Sequence, residues 1–348
     1  LEKDRKLLRE LNVLKGIAII FVVLVHIGAP FQYASLEGFI QHFQSFMYLF
    51  MFASGFLLNY SGRSMSSFSE YCLLVEKKFK HLLIPYISVS IIILVTKAFA
   101  GLFFKLKHPI SNNVWIDIFL NPMGGFASHL WFIYVLFIIF MIFPAIRLVK
   151  SYLLMSLIAL AVFFINIHSN VYFELYLVKF YLVFFCMGYM YSEIDFEKIN
   201  KLAGLLFFIF LVFLGSLFFN QTRFFAIIGS FLPFHYAENL YFLFQGIGCI
   251  FTYYYLSVVI ARRKNILTDT LDYIGNYSFS IYLLHTIFMG WVCNMLDQYL
   301  HQMQNIYFIV LLAVVGLSAP ILSTKYIIVK NRFLSVLIFG TDTPSFRR

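Results

Sequence analysis

An all-α bundle of about ten membrane-spanning helices, with both termini cytoplasmic, is the fold this sequence predicts, and three observations lead to it. The chain is 61% hydrophobic and only 12% charged, with a mean hydropathy of +0.85. An ordinary soluble domain is about 25% charged. The apolar runs are continuous over about twenty residues and do not alternate, which selects helices and excludes a closed β-barrel. The basic residues fall on alternate connections between those runs, which orients the bundle. No linker, soluble appendage or internal repeat interrupts the series, so residues 1–348 read as one integral-membrane domain.

The runs lie near residues 11–31, 39–60, 80–101, 129–149, 151–168, 172–192, 202–219, 239–261, 273–295 and 306–329. The first is too long for a signal peptide and lacks a small-residue cleavage site, so it reads as a retained span. Lys3, Arg5, Lys6 and Arg9 precede it; Arg63, Lys77, Lys78 and Lys80 separate spans two and three. Arg147 and Lys150 follow span four, Lys198 and Lys201 span six, and Arg262, Arg263 and Lys264 span eight, while Lys330, Arg332, Arg347 and Arg348 lie beyond span ten. The opposite connections carry Lys105, Lys107 and Arg223 alone. The net charge of +10 is therefore mostly an orientation signal and does not point to nucleic acid. Cys186, Cys249 and Cys293 fall in spans and Cys72 in a basic loop, which is no disulfide or metal framework.

Two outer connections, about residues 102–128 and 220–238, are longer than usual and too apolar to float in water. Each is expected to pack an interfacial or re-entrant piece on the bundle. The tail from Asn331 is short and carries no expectation.

Lys15 and His26 are eleven positions apart in span one, so three helical turns put them on one face, roughly 16 Å apart. Ionisable groups at membrane depth are costly, and a shared face favours a lined cavity over separate anchoring and packing roles. Lys77, Lys78, Lys80 and His81 crowd the start of span three before Pro85. Lys77 shares a face with Lys80 or His81 while Lys78 points elsewhere. The cluster suits lipid headgroups or a cytosolic polyanion. Ala53, Ser54 and Gly55 offer a close helix approach and one hydroxyl. His129 and Trp131 open span four at the outer interface; Tyr282 and His285 lie in the middle of span nine. An imidazole at that depth needs a partner or a cavity. Lys179 is a further intramembrane cation, with Glu174 at the wrong spacing to pair with it.

In order along the chain, Lys15 and His26 in span one, ASGF at 53–56, KKFKHLLIPY at 77–86, HLWF at 129–132 and YSFSIYLLH at 277–285 resemble the motifs of the acyltransferase-3 family of membrane O-acyltransferases. Lysines stand where better-known members carry third-span arginines. Phe46, Met47 and Tyr48 occupy the place of a His-Met-Pro, with His42 one turn earlier.

The resemblance implies transfer of an acyl group, most often acetyl, from cytosolic acyl-CoA to a hydroxyl of a surface glycan or lipid-linked saccharide. It implies a plasma membrane, in a bacterium the inner one, and no metal. On this reading His26 removes the hydroxyl proton, with His285 and Tyr282 beside it as catalytic candidates. Lys15, Lys77, Lys78, Lys80 and Ser54 bind the donor, whose phosphates suit lysine point charges. His42, His129 and Trp131 contact the acceptor. Direct transfer is expected ahead of an acyl-histidine relay. A polysaccharide exporter or lipid-linked sugar flippase, and a small-ligand receptor, stay open as other uses of such a bundle, although the broken helix pairs of transporters are not evident.

Overall fold

The computed structural model describes residues 2–31, 46–62, 67–103, 110, 113–167, 172–192, 229–300 and 306–342. These residues are helical with no strand among them, and seven helical segments are long and apolar enough to cross a membrane. Two shorter apolar helices accompany them. The helices are α1 (Glu2–Phe31), α2 (Phe46–Tyr60), α3 (Phe68–Lys78), α4 (Ile84–Ala100), α5 (Val114–Phe119), α6 (Trp131–Arg147), α7 (Tyr152–Phe164), α8 (Leu175–Tyr191), α9 (Phe234–Ala261), α10 (Ile266–Asn276), α11 (Ser278–Leu300), α12 (Ile306–Ser323) and α13 (Arg332–Phe339). They overlap nine of the ten expected runs, seven of them with helices long enough to cross; the run 202–219 lies outside the described residues.

Three boundaries differ from expectation. The third span does not begin at residue 80. A capping box, in which Ser67 accepts from the Glu70 amide and Glu70 from the Ser67 amide, starts α3 twelve residues earlier. The rod then continues through a π-helical turn, Phe79–Leu83, into α4. That wider turn precedes Pro85, which has no amide to donate and would otherwise crowd the preceding carbonyls. The ninth span is broken at Tyr277: Asn265 caps a separate helix, α10, and α11 starts afresh at Ser278. The stretch from Asn331 is a formed helix. Asn331 accepts from the Phe333 and Leu334 amides, and Gly340 closes α13 at φ +68°, a left-handed turn that favours glycine. A Cβ at Gly340 would overlap the Lys80 carbonyl, and Ser88 donates to the Leu337 carbonyl, so α13 lies across the π-turn and α4.

In lipid, helices associate by close backbone approach more than by burial of apolar surface. At Gly55 of α2 an added Cβ would overlap the Phe185 carbonyl of α8, and one at Gly188 of α8 would overlap Phe52. The crossing of α1 with α10 is built the same way, with Gly16 against Leu271 and Gly275 against Asn12. Polar bonds lock it: Asn12 donates to Asp272 at 2.9 Å and Arg9 pairs with Asp269. These two crossings hold α2 against α8 and α1 against α10.

Candidate functional site

The end of α1, the start of α6 and the first turns of α11 converge on a cavity of about 310 Å³, at the low end of the usual range for ligand pockets, about 300–1,000 Å³. His26, His129, Trp131 and Tyr282 line it with Met123, Tyr176, Phe180, Tyr181, Tyr48 and Gln245. His285 lies directly behind. Its ring centroid is 4.8 Å from that of His26 and 5.6 Å from that of His129, and the His26 and His129 rings are 6.2 Å apart. Three histidines more than a hundred residues apart in the chain therefore form one cluster.

The helices that carry these rings set their protonation. The His26 Nδ1 is 2.7 Å from the Val22 carbonyl, one turn back. A carbonyl only accepts, so Nδ1 holds the hydrogen, and in the neutral ring Nε2 carries the lone pair. His285 is tied alike, with Nδ1 2.8 Å from the Ile281 carbonyl and 3.0 Å from that of Tyr282. Its Nε2 is buried with no partner among the described residues. The His129 Nε2 meets the Thr286 hydroxyl at 2.9 Å. The rings meet edge to face, and among the described residues no group of His, Cys, Asp or Glu side chains is placed to hold a metal ion.

One wall of the cavity is a platform of rings. Tyr48 lies 4.4 Å from Phe184 and 5.3 Å from Tyr181, and Trp131 lies 5.3 Å from Tyr181. Gln245 has no hydrogen-bond partner among the described residues, so its amide offers both a donor and an acceptor to the cavity.

A second wall is the segment from α5 to the start of α6, held at almost every turn. Tyr86 donates to the Ile118 carbonyl and Tyr134 to that of Phe119, both at 2.6 Å. The Phe173 amide donates to Leu120 at 2.8 Å and the Met123 amide to the Glu174 carboxylate at 2.7 Å. Lys97 donates to the Phe126 carbonyl at 2.8 Å and Tyr282 donates to the His129 carbonyl. Phe173 and Glu174 both adopt left-handed backbone, φ 64° and 53°, which non-glycine residues seldom do. The expected packing of this connection is thus seen for α5 and residues 120–129, and the later connection enters α9 at Phe234.

The remaining sequence-selected residues lie elsewhere. Lys15 is half-buried on the same unbroken helix as His26 but does not line the cavity. The Ser54 hydroxyl donates to the Phe50 carbonyl at 2.7 Å, and the Tyr282 hydroxyl is spent on His129, so both protons are committed. Lys77 is exposed, Lys78 stands 3.6 Å above the Phe140 ring and Lys80 pairs with Glu76. Lys179 donates to the Ile165 carbonyl at 2.9 Å and lies over Phe180 and Tyr176. His42 lies outside the described residues. Sequence reasoning did not select Gln245 or Lys97, and it named Glu174 only as an outer acid, not as the acceptor of the Met123 amide. Lys97 alone carried a signal, a cation inside an apolar span.

A family model described as an acyltransferase domain matches residues 8–325. No curated protein and no solved structure matches the chain.

Proposed function

Because the chain belongs to the acyltransferase-3 family, and is by that membership a membrane acyltransferase, we propose that it moves an acetyl group from cytosolic acetyl-CoA to a hydroxyl of a surface glycan or its lipid-linked precursor. The basic connections then face the cytoplasm, and the histidine cluster lies toward the other side of a bacterial inner membrane. One observation carries the reading: His26 stands at the wall of a ring-lined cavity with Nδ1 tied to the Val22 carbonyl, which leaves the lone pair of the neutral ring on Nε2.

The chemistry follows from that tautomer. The acceptor oxygen attacks the thioester carbonyl carbon as its proton passes to His26 Nε2. The tetrahedral intermediate collapses, the C–S bond breaks, and the imidazolium returns the proton to the leaving thiolate, giving the ester, free coenzyme A and neutral His26. The Val22 carbonyl steadies the imidazolium by accepting from Nδ1 throughout. His285 and His129 pack around His26 as positioning groups, and Tyr282 fixes the His129 backbone. The ring platform suits the C–H face of a sugar, and the Trp131 indole N–H is a donor with no partner among the described residues. Lys15 and the third-span lysines would attract the anionic donor toward the opposite end.

Inside-out vesicles supplied with radiolabelled acetyl-CoA test this. Label should accumulate on glycan, and His26→Ala should lower it by about 10²–10⁴-fold at unchanged protein level. Full labelling by the variant would remove His26 as the base. Movement of unacylated glycan without thioester consumption would identify an exporter instead.

A further inference from the structure

A second cavity, of about 260 Å³, opens where α6 turns into α7 and meets the end of α8. Ile146, Arg147, Lys150, Ser151, Tyr152, Met155 and Tyr189 line it, so it holds two cations and no carboxylate. Arg147 gives its Nε hydrogen to the Tyr189 hydroxyl, and that bond together with the ring at 5.6 Å orients the guanidinium. Its other N–H donors and the Lys150 ammonium have no partner among the described residues. Seven residues back, on the same face of α6, Lys78 stands above Phe140, which extends the positive column by about 10 Å. Positive charge placed only for orientation would need no cavity, and carboxylate partners would be expected if the pair were structural.

We propose that the Arg147–Lys150 cavity is a binding site for a phosphate ester. A planar guanidinium held by its Nε presents its outer edge to two phosphate oxygens, and the ammonium beside it supplies a point charge to a third. Two sources offer that chemistry: the nucleotide phosphates of coenzyme A and the phosphodiester of an anionic phospholipid. The site is defined by equilibrium binding, so it stands or falls separately from acyl transfer and from His26.

The experiment uses the full chain in nanodiscs at physiological salt, as wild type, Arg147→Gln/Lys150→Gln, and the control Arg263→Gln/Lys264→Gln, which removes equal charge outside the cavity. In phosphatidylcholine discs, free coenzyme A is titrated and its Kd read by calorimetry. In discs containing phosphatidylglycerol, the lipid retained after release is counted by native mass spectrometry. The cavity variant should lose about tenfold in coenzyme A affinity or in retained phosphatidylglycerol, and the arm that responds names the source. The control should keep both. No change in either arm, or an equal loss in the control, overturns the assignment. If the double variant does not insert, Lys150→Gln alone serves, since that side chain is exposed.

Discussion

Glu174 separates two explanations of the wall that carries His129. Its carboxylate accepts the Met123 amide at 2.7 Å, and Met123 lines the histidine cavity. If acceptance of that hydrogen is its task, Glu174→Gln keeps the bond through the amide oxygen, whereas Glu174→Ala leaves an orphaned N–H. Met123 is half-exposed, so losing the bond costs its net worth of about 0.5–1.5 kcal/mol, or a roughly 2- to 13-fold rise in opening. Hydrogen exchange at the Met123 amide reads this directly. The alanine variant should exchange faster by that factor and show reduced acyl transfer, because the segment ending at His129 loses one of its ties. The glutamine variant should stay within about twofold of wild type. If glutamine exchanges as fast as alanine, negative charge and not hydrogen-bond acceptance is the requirement, and the reasoning is refuted.

Other expectations concern the frame around the site. Tyr282→Phe removes the donor to the His129 carbonyl, so acyl transfer should fall several-fold with little change in melting temperature; an unaltered rate would show that His129 needs no such tether. Gly188→Ala or Gly275→Ala places a methyl on a facing backbone, and overpacking of this kind costs about 1–3 kcal/mol or more, readable as earlier melting of the detergent-solubilised protein. Lys179→Met keeps the stem that packs on Phe180 and removes only a buried ammonium, so its melting temperature and labelling should match wild type. A strong loss of activity there would give Lys179 a part in the chemistry.

The span pattern was legible because lipid demands long uninterrupted apolar runs, and those survive in one dimension. Lys15 and His26 were legible as a pair because a single helix relates them. The meeting of His26 with His129 and His285 was only partly legible: the depth of His285 favoured a wall of the same cavity, but helix periodicity says nothing about which spans are neighbours. The partners of Glu174 and Lys97 were illegible for a different reason. Both bond to backbone groups, and a carbonyl or amide leaves no trace in residue identity. The helix after Asn331 was overlooked although Asn331 is a good cap and Phe333, Val336 and Phe339 recur at helical spacing. Its length, not its pattern, argued against it.

The contacts of α1 and of the π-turn before α4 set an order of assembly. Asn12 finds Asp272 only after 260 further residues have been made, and the Lys80 carbonyl receives Gly340 at a similar remove. The first helices to enter the bilayer thus wait beside lipid with incomplete neighbours until the last quarter of the polypeptide arrives. A translocation machine or chaperone that shelters such waiting polar surface would shorten the interval in which they pair wrongly, so yield in cells should depend on that helper more steeply than the finished protein's robustness would suggest.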